Sequence, residues 1–451
     1  MTLLAIEWGT VGIKALQFIL SFSILVTLHE FGHFITARIF KCRVEKFYLF
    51  FDPWFSLFKK KIGDTEYGIG WVPFGGYVKI SGMVDESMDK EQMKQEPKPW
   101  EFRSKPAWQR LIIMLAGIFM NLVLGFAIYS MMLFHWGDEF IPNSQLKNGI
   151  MADSLAQSIG LKNGDQILSL DNKPVEKFNR ISTTILLDDP KTIQVNRNGQ
   201  TVNIAIPEDF AKNVITFKDK DFILPRMSFY PAKEVPDTSV AYKAGMRKGD
   251  KIVAINNTPI TFFDQYKETL TSLKGKPATL SVLRGNDTAQ LNLTVPANGL
   301  LGFLQDIPED RFPTDTIHYT FGQSIPAGFQ KGKETLRNYV LQFKFLFGKH
   351  RVNPNESLGG VISMGNLFPS TWDWEAFWGI TAFFSFALAF MNLLPIPALD
   401  GGHALFCIIE IITGRKPSDK VLEIAQMIGM VLLLGLMVYA LGLDFWRIFK
   451  K

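Results

Sequence analysis

Two histidines and one glutamate lie close together inside an apolar stretch of this 451-residue chain, in the run His29-Glu30-Phe31-Gly32-His33. On a helix, side chains at positions i and i+4 project from the same face, so both imidazoles can bind one metal ion while Glu30 lies beside them. A carboxylate next to a metal-activated water is the arrangement of metallopeptidases. The motif therefore predicts a metallopeptidase site with His29 and His33 as Zn²⁺ ligands and Glu30 as the catalytic base.

Surface histidines on an ordinary soluble helix are the alternative interpretation of this motif. Ionisable side chains at membrane depth are costly unless they are paired or bind a metal ion. Because the residues around the motif are largely apolar, a functional cluster explains it better than chance does.

The composition indicates membrane helices that alternate with a water-soluble portion. The chain has 39 Phe and 10 Trp, yet its mean hydropathy is only slightly positive. Its 48 basic and 43 acidic residues are interspersed, and no basic run interleaved with aromatic residues suggests a nucleic-acid partner. Cys42 and Cys407 lie at the ends of hydrophobic segments, where small buried side chains explain them better than metal ligands or a disulfide do.

Four segments are long and apolar enough to cross a bilayer, roughly residues 9–37, 108–134, 375–398 and 425–446. The first has no small-residue cleavage site, so we interpret it as a retained helix rather than a signal peptide. The connection that follows it is rich in Lys and Arg, which favours a cytoplasmic location. Four spans then place both termini and the large middle segment outside, with the metal site near the cytoplasmic face.

Residues 64–82 alternate in polarity and contain several glycines, a pattern typical of a β-hairpin. Beside an intramembrane site, a hairpin can line a protected cavity, and its free edge can pair with an unwound substrate. An ordinary cytoplasmic turn is the alternative interpretation.

The middle segment contains an internal repeat, in which residues 160–175 align with residues 245–260. Both copies follow the pattern G-L/M-x-x-G-D-x-I, which resembles the PDZ domain in its permuted bacterial form. The Gly and Asp residues of the pattern shape a turn before a strand, so we interpret them as fold determinants. PDZ domains bind peptide C-termini by strand addition, and a spacer role for one or both copies is the alternative.

Residues 326–351 predict an amphipathic helix, because apolar residues recur at helical spacing between basic ones. Such a helix can lie on the lipid of the outer leaflet. Packing against one of the two repeats is the alternative.

Two histidines leave a catalytic zinc one protein ligand short, since such sites use three ligands and a water. The candidate is Asp400, which follows a helix broken by Pro395 and Pro397. We interpret His403 as a neighbour rather than a ligand, because a fourth protein ligand would close the site to water.

These motifs together resemble the site-2 protease family of intramembrane metalloproteases, and most closely its RseP-type members with two periplasmic PDZ domains. The resemblance covers nearly the whole chain: the HExxH run, the hairpin, the repeats and the N-x-x-P-x-P-x-L-D-G-G run occur in the family's order. It implies that His29, His33 and Asp400 bind zinc and that Glu30 moves protons. It also implies substrate contacts at Asn392, Phe74, Gly75, Gly76 and Tyr77, with helix capping as the alternative role of Asn392.

The resemblance further implies a multi-pass protein of the bacterial inner membrane that cleaves single-span proteins. These include an anti-sigma factor already shortened by a first protease, and remnant signal peptides. A PDZ-bearing membrane scaffold with a structural zinc is the alternative, and Glu30 argues against it, because a structural site needs no such carboxylate.

The fold class we expect is a polytopic α-helical membrane protein with four transmembrane helices, a membrane-associated β-hairpin and two inserted β-rich PDZ domains. The expected segments are transmembrane helix 1 (1–40), the hairpin region (41–107), transmembrane helix 2 (108–135), the PDZ copies (136–222 and 223–312), a linker with the amphipathic helix (313–372), transmembrane helix 3 with Asp400 (373–413) and transmembrane helix 4 (421–448).

Overall fold

The structure is a computed structural model that describes residues 8–83, 96–216, 221–347 and 359–449. The chain divides into two compact units. The first comprises Met1–Asp138, His318–Lys344 and Ser357–Lys451, and the second comprises Glu139–Ile317 and Phe345–Glu356.

Helices dominate the first unit, and four of them are long and apolar enough to cross a membrane. The helices of this unit are α1 (Trp8–Ile39), α2 (Ala107–His135), α8 (Phe321–Phe347), α9 (Val361–Gly365), α10 (Trp374–Leu393), α11 (Asp400–Thr413) and α12 (Asp419–Phe449). The four candidate spans are α1, α2, α10 and α12, which supports a polytopic membrane protein.

The helix of the third apolar segment ends earlier than the predicted span, and a separate helix follows it. The sequence predicts a span over 375–398, but α10 ends at Leu393 and α11 begins at Asp400. Pro395 and Pro397 lie between them, and a proline neither donates a helical hydrogen bond nor tolerates a helical residue before it. The break therefore places Asp400 in the first turn of a separate helix.

A long antiparallel strand pair follows α1. It consists of β1 (Val44–Ile62) and β2 (Thr65–Ile80). The residues predicted as a hairpin, 64–82, therefore hold only β2, and the strand that pairs with it lies before them. The first part of β1 pairs with β2 on both sides, since Phe47 lies opposite Tyr67 and also opposite Val78. Register shifts and positive φ angles at Phe50 (66°) and Trp54 (73°) make the outer part irregular.

The amphipathic helix α8 packs against α2 and α10. A Cβ on Gly328 would lie 2.5 Å from the Ser130 backbone nitrogen, and one on Gly332 would lie 2.6 Å from the Phe386 ring. The Tyr339 hydroxyl donates a hydrogen bond to the Phe383 carbonyl at 2.8 Å. The described part of α8 therefore contacts two candidate spans, a position that neither sequence interpretation included. Residues 348–351 of the predicted helix lie outside the described residues.

The second unit contains two four-stranded sheets of the same topology. The first has the order β6-β5-β7-β8 and the second has the order β12-β11-β13-β14. Their strands are β5 (Gln166–Leu170), β6 (Lys173–Pro174), β7 (Thr192–Arg197), β8 (Gln200–Ala205), β11 (Lys251–Ile255), β12 (Thr258–Pro259), β13 (Pro277–Arg284) and β14 (Asp287–Thr294). In the chain, helix α4 (Ile181–Asp188) lies between β6 and β7, and helix α7 (Phe263–Ser272) lies at the equivalent place between β12 and β13.

Shorter elements complete the described chain. They are β3 (Asp138–Phe140), β4 (Ile150–Ala152), α3 (Ser154–Ser158), α5 (Phe210–Thr216), β9 (Ile223–Pro225), β10 (Ala232–Glu234), α6 (Val240–Lys243), β15 (Leu304–Gln305) and β16 (Asp315–Ile317). Each copy has its own buried apolar core, which includes Ile193 and Val195 in the first and Leu280 and Val282 in the second.

An equivalent aspartate holds the turn of each repeat. Asp165 accepts hydrogen bonds from the Lys162 amide at 2.8 Å and from the Arg197 guanidinium at 2.7 Å. Asp250 accepts the same bonds from the Arg247 amide and from Arg284, each at 2.8 Å. The aspartates of the repeated motif therefore fix a turn and do not belong to the group of possible metal ligands found in the described residues.

Candidate metal centre

Three ligand atoms from two distant segments converge in the first unit. The Nε2 atoms of His29 and His33 are 3.3 Å apart, and they lie 3.1 Å and 3.3 Å from Oδ2 of Asp400. A tetrahedral zinc with bonds of about 2.0–2.1 Å to its ligands separates those ligands by about 3.3 Å. The spacing therefore fits one zinc ion shared by three protein ligands.

Helix α1 presents both imidazoles on one buried face. His29 is 7% exposed and His33 is 5% exposed. Gly32 lets this face approach α2, because a Cβ there would lie 2.5 Å from the Ala116 carbonyl oxygen. The same turn of α1 therefore carries both histidines and the glycine that allows the close approach to α2.

Asp400 is positioned by a tight connection between α10 and α11. Ala398 has φ of +83°, a strained conformation for a residue with a Cβ. A Cβ on Gly401 would lie 2.6 Å from the Leu393 backbone, and one on Gly402 would lie 2.5 Å from the Ile396 carbonyl oxygen. The two glycines therefore allow the chain to fold back and carry Asp400 to the histidines.

The Asp400 carboxylate has the chemistry of a cation ligand. Its Oδ2 atom is buried, and its polar neighbours in the described part of the chain are the Nε2 atoms of His29 and His33, with no other hydrogen-bond donor. A buried carboxylate oxygen that faces two imidazole nitrogens is costly unless a cation or a proton lies between them. The cluster of His29, His33 and Asp400 is the group of possible metal ligands found among the described residues, and His403 is outside it.

Glu30 and Asn392 lie beside these ligands. Glu30 is half-buried and follows His29 directly on α1, and the backbone amide of Val78 in β2 faces its carboxylate. Asn392, in the last turn of α10, has its amide nitrogen 3.5 Å from Nε2 of His29. The structure therefore places both of these predicted residues at the metal-ligand cluster.

The hairpin residues that were predicted to contact substrate make their described contacts with α1 and within the hairpin itself. Gly76 lies against α1, where a Cβ would be 3.0 Å from the Val26 side chain, and Gly75 has φ of +75° beside the Phe51 ring. The Tyr77 hydroxyl donates a hydrogen bond to Asp52 at 2.8 Å, inside the hairpin. Phe74 lies in β2 between these residues and Pro73, and its side chain is outside the described structure.

Helix α2 contributes contacts that the sequence interpretation missed. The Nδ1 atom of His33 lies 2.8 Å from the Ile113 carbonyl oxygen, and Nδ1 of His29 lies 3.1 Å from the Asn121 amide. The contact of a backbone carbonyl cannot be predicted from residue types, because every residue has a carbonyl. Asn121, however, is a polar residue inside an apolar span, and that signal was sufficient to mark it.

Four candidate spans, together with a cluster of two histidines and an aspartate and a neighbouring glutamate, define a membrane-embedded metallopeptidase. The family model described as Peptidase family M50 matches residues 17–436. The chain belongs to peptidase family M50.

Curated relatives match along almost their whole length. A protein of Neisseria meningitidis described as a zinc metalloprotease is 29% identical, covering 96% of this chain and 99% of its own. The regulator of sigma E protease of Haemophilus influenzae is 28% identical, covering 96% and 98%. The regulator of sigma-E protease RseP of Escherichia coli is 29% identical, covering 96% and 98%.

The family and the relatives confirm the predicted class of enzyme and its cofactor. The protein is a site-2 intramembrane metalloprotease that depends on zinc and acts on membrane proteins. Its bacterial relatives and its four apolar helices make it an inner-membrane protein.

Proposed function

We propose that His29, His33 and Asp400 hold the catalytic zinc and that Glu30 is the catalytic acid–base. The observation that carries this proposal is the mutual spacing of 3.1–3.3 Å between the three ligand atoms, with Glu30 adjacent to one of them. When bound, zinc supplies Lewis-acid polarisation and lowers the pKa of water.

Glu30 and Asn392 have different roles in the proposed peptide hydrolysis. The Glu30 carboxylate accepts a proton from the attacking water and then delivers it to the leaving amine nitrogen. The amide nitrogen of Asn392 points towards the ligand cluster, where it donates a hydrogen bond to the oxygen of the scissile carbonyl. Water adds its oxygen to the carbonyl carbon, the C–N bond breaks, and the products are a carboxylic acid and an amine.

The strand that faces Glu30 supplies a backbone edge for an unwound substrate. A helical substrate hides its amides in internal hydrogen bonds, so cleavage requires local unwinding. The residues of β2 near Val78 pair with β1 on one side and face Glu30 on the other. Strand addition at this edge satisfies the exposed substrate backbone beside the catalytic carboxylate.

The outer part of the hairpin is suited to contact lipid. Trp54 is 91% exposed, and Phe55 and Trp71 form stacked rings beside it. Aromatic side chains of this kind prefer the interface between bilayer and water. The hairpin therefore enters the cytoplasmic side of the bilayer, and both termini lie in the periplasm, as the basic connection after α1 requires.

The two repeats act as periplasmic PDZ domains. In the second copy, the loop 299–303 contains Gly299 and Gly302 with φ of +74° and +80°, and it leads into β15. Phe303 packs on Tyr266 of α7, while Leu304 is exposed beside this ring pair. A backbone loop, a short strand and a flanking helix are the parts that capture a peptide C-terminus.

The substrates are single-span membrane proteins whose external domains have already been removed. An anti-sigma factor shortened by a first protease and remnant signal peptides belong to this class, which places the enzyme in regulated intramembrane proteolysis and the envelope stress response. The relatives named as sigma E regulators support this proposal. On this account the PDZ domains exclude intact substrates by size.

The test uses the full chain in detergent with two single-span peptides, one with a large external domain and one without. We expect zinc-dependent cleavage of the truncated peptide, loss of cleavage with a chelator, and recovery on adding zinc. Binding of both peptides without cleavage under any metal condition would instead support a PDZ-bearing scaffold with a structural zinc.

A further inference from the structure

A stripe on α2 forms the wall behind the two imidazoles. Ile113, Gly117 and Asn121 are spaced four residues apart and therefore lie on one face of the helix. A Cβ on Gly117 would collide with Nε2 of His33 and lie 2.7 Å from Cε1 of His29. Gly117 makes room for both imidazole rings. One turn before it the Ile113 carbonyl contacts His33, and one turn after it the Asn121 amide contacts His29.

The contact on His33 determines which ring nitrogen carries its proton. A carbonyl oxygen only accepts hydrogen bonds, so the Ile113 carbonyl at 2.8 Å requires a proton on Nδ1 of His33. A neutral imidazole has one protonated nitrogen, and Nε2 therefore presents its lone pair to the ligand cluster.

The contact on His29 is made by the side-chain amide of Asn121. Its nitrogen and its oxygen would place the proton of a neutral His29 on different ring nitrogens. Asn121 is completely buried, with its side-chain nitrogen 3.1 Å from Nδ1 of His29 and its Oδ1 atom without a partner in the described residues. A donating nitrogen there would put the proton of a neutral His29 on Nε2, the atom that faces Asp400. The oxygen and nitrogen of an Asn amide have the same shape, and their assignment follows from the hydrogen-bond network.

We propose that Asn121 is a positioning residue whose amide oxygen accepts the Nδ1–H of His29 and so directs the Nε2 lone pair to the metal. The proposal rests on the proposed function, because it takes His29 as a zinc ligand. It gives both histidines the same arrangement, with an oxygen of α2 on Nδ1 and the metal on Nε2. Such partners of ligating histidines set ring orientation and metal affinity.

The position of Asn121 is itself fixed from another helix. The Ser385 hydroxyl of α10 donates a hydrogen bond to the Asn121 backbone carbonyl at 2.7 Å. Ser385 is completely buried, and the hydrogen bond described for its hydroxyl does not involve either imidazole. Replacing Ser385 therefore perturbs the same site on α2 without removing the side-chain contact to His29.

The experiment compares Asn121→Leu, Asn121→Asp and Ser385→Ala in the full-length protein in detergent. Bound zinc is titrated against a competing chelator, and the absorption spectrum of the cobalt(II) form reports the ligand set. We expect Asn121→Leu to weaken zinc binding by about 10–100-fold and to shift the cobalt spectrum. Asn121→Asp retains an oxygen beside Nδ1 and keeps affinity within a few-fold of wild type, as does Ser385→Ala.

Wild-type affinity and an unchanged cobalt spectrum in Asn121→Leu would overturn the proposal while leaving the zinc site in place. Equal losses in Asn121→Leu and Asn121→Asp would also overturn it, because the oxygen would then have no special role. If the wild-type protein bound no zinc, and His29→Ala showed the same absence of bound zinc, the proposed function would be overturned together with this inference.

Discussion

The Nε2 atom of His29 and the Oδ2 atom of Asp400 lie 3.1 Å apart, although one residue belongs to α1 and the other begins α11. No local element enforces this distance. It results from the close packing of α1 on α2 and from the tight connection that brings Asp400 back after α10. Zinc binding therefore reports directly on the packing of these helices.

Gly117 is the most sensitive position in that packing. Gly117→Ala places a methyl group against both imidazoles, so we expect loss of most of the bound zinc and of cleavage. Gly379→Ala is the matched control, because its Cβ would meet only the Met132 methyl at an ordinary 3.4 Å. Metal analysis of the two purified variants checks this, and full zinc occupancy in Gly117→Ala would contradict the described contact.

The packing of α8 gives a second prediction. Gly332→Leu would force a side chain into the Phe126 and Phe386 rings, so we expect a cost of about 1–3 kcal/mol and a lower melting temperature. Gly322→Leu on the same helix meets nothing within 4 Å and should leave the melting temperature close to wild type. Equal melting temperatures for the two variants would show that α8 does not pack against α2 and α10.

The candidate metal ligands and the class of enzyme could be predicted from the sequence because their signals are local or strongly patterned. HExxH is a five-residue motif, and Asp400 follows two prolines that stop a helix. Of the contacts made by α2, only Asn121 left a signal in the sequence, because the others depend on a carbonyl, a glycine and the rotation of one helix against another. The position of α8 was missed because amphipathic periodicity shows that a face is apolar and does not identify what covers it.

The Asp250 carboxylate gives the second repeat a pH-dependent stability. Burial alone would raise the pKa of Asp250, but hydrogen bonds from Arg284 and the Arg247 amide hold this pKa below its usual value. A lowered pKa in the folded state contributes stability above the unfolded-state value of about 3.9 and loses it as the pH falls through the folded-state value.

Hydrogen exchange of the full-length protein checks this prediction. On acidification below about pH 4, the protection of β11 and β13 should decrease in wild type. Arg284→Met should reduce protection at neutral pH and flatten its pH dependence, because the partner that lowers the pKa is gone. The same steep acid dependence in wild type and Arg284→Met would assign the effect to another group.

We propose that Glu30 transfers protons beside a zinc held by His29, His33 and Asp400. The most direct test compares wild type with Glu30→Gln in cleavage of a truncated single-span substrate, with bound zinc measured in both. We expect cleavage to fall by about 10²–10⁴-fold in Glu30→Gln while zinc occupancy stays at the wild-type level. Unchanged cleavage in a zinc-loaded Glu30→Gln protein would contradict the assignment of Glu30 as the catalytic acid–base.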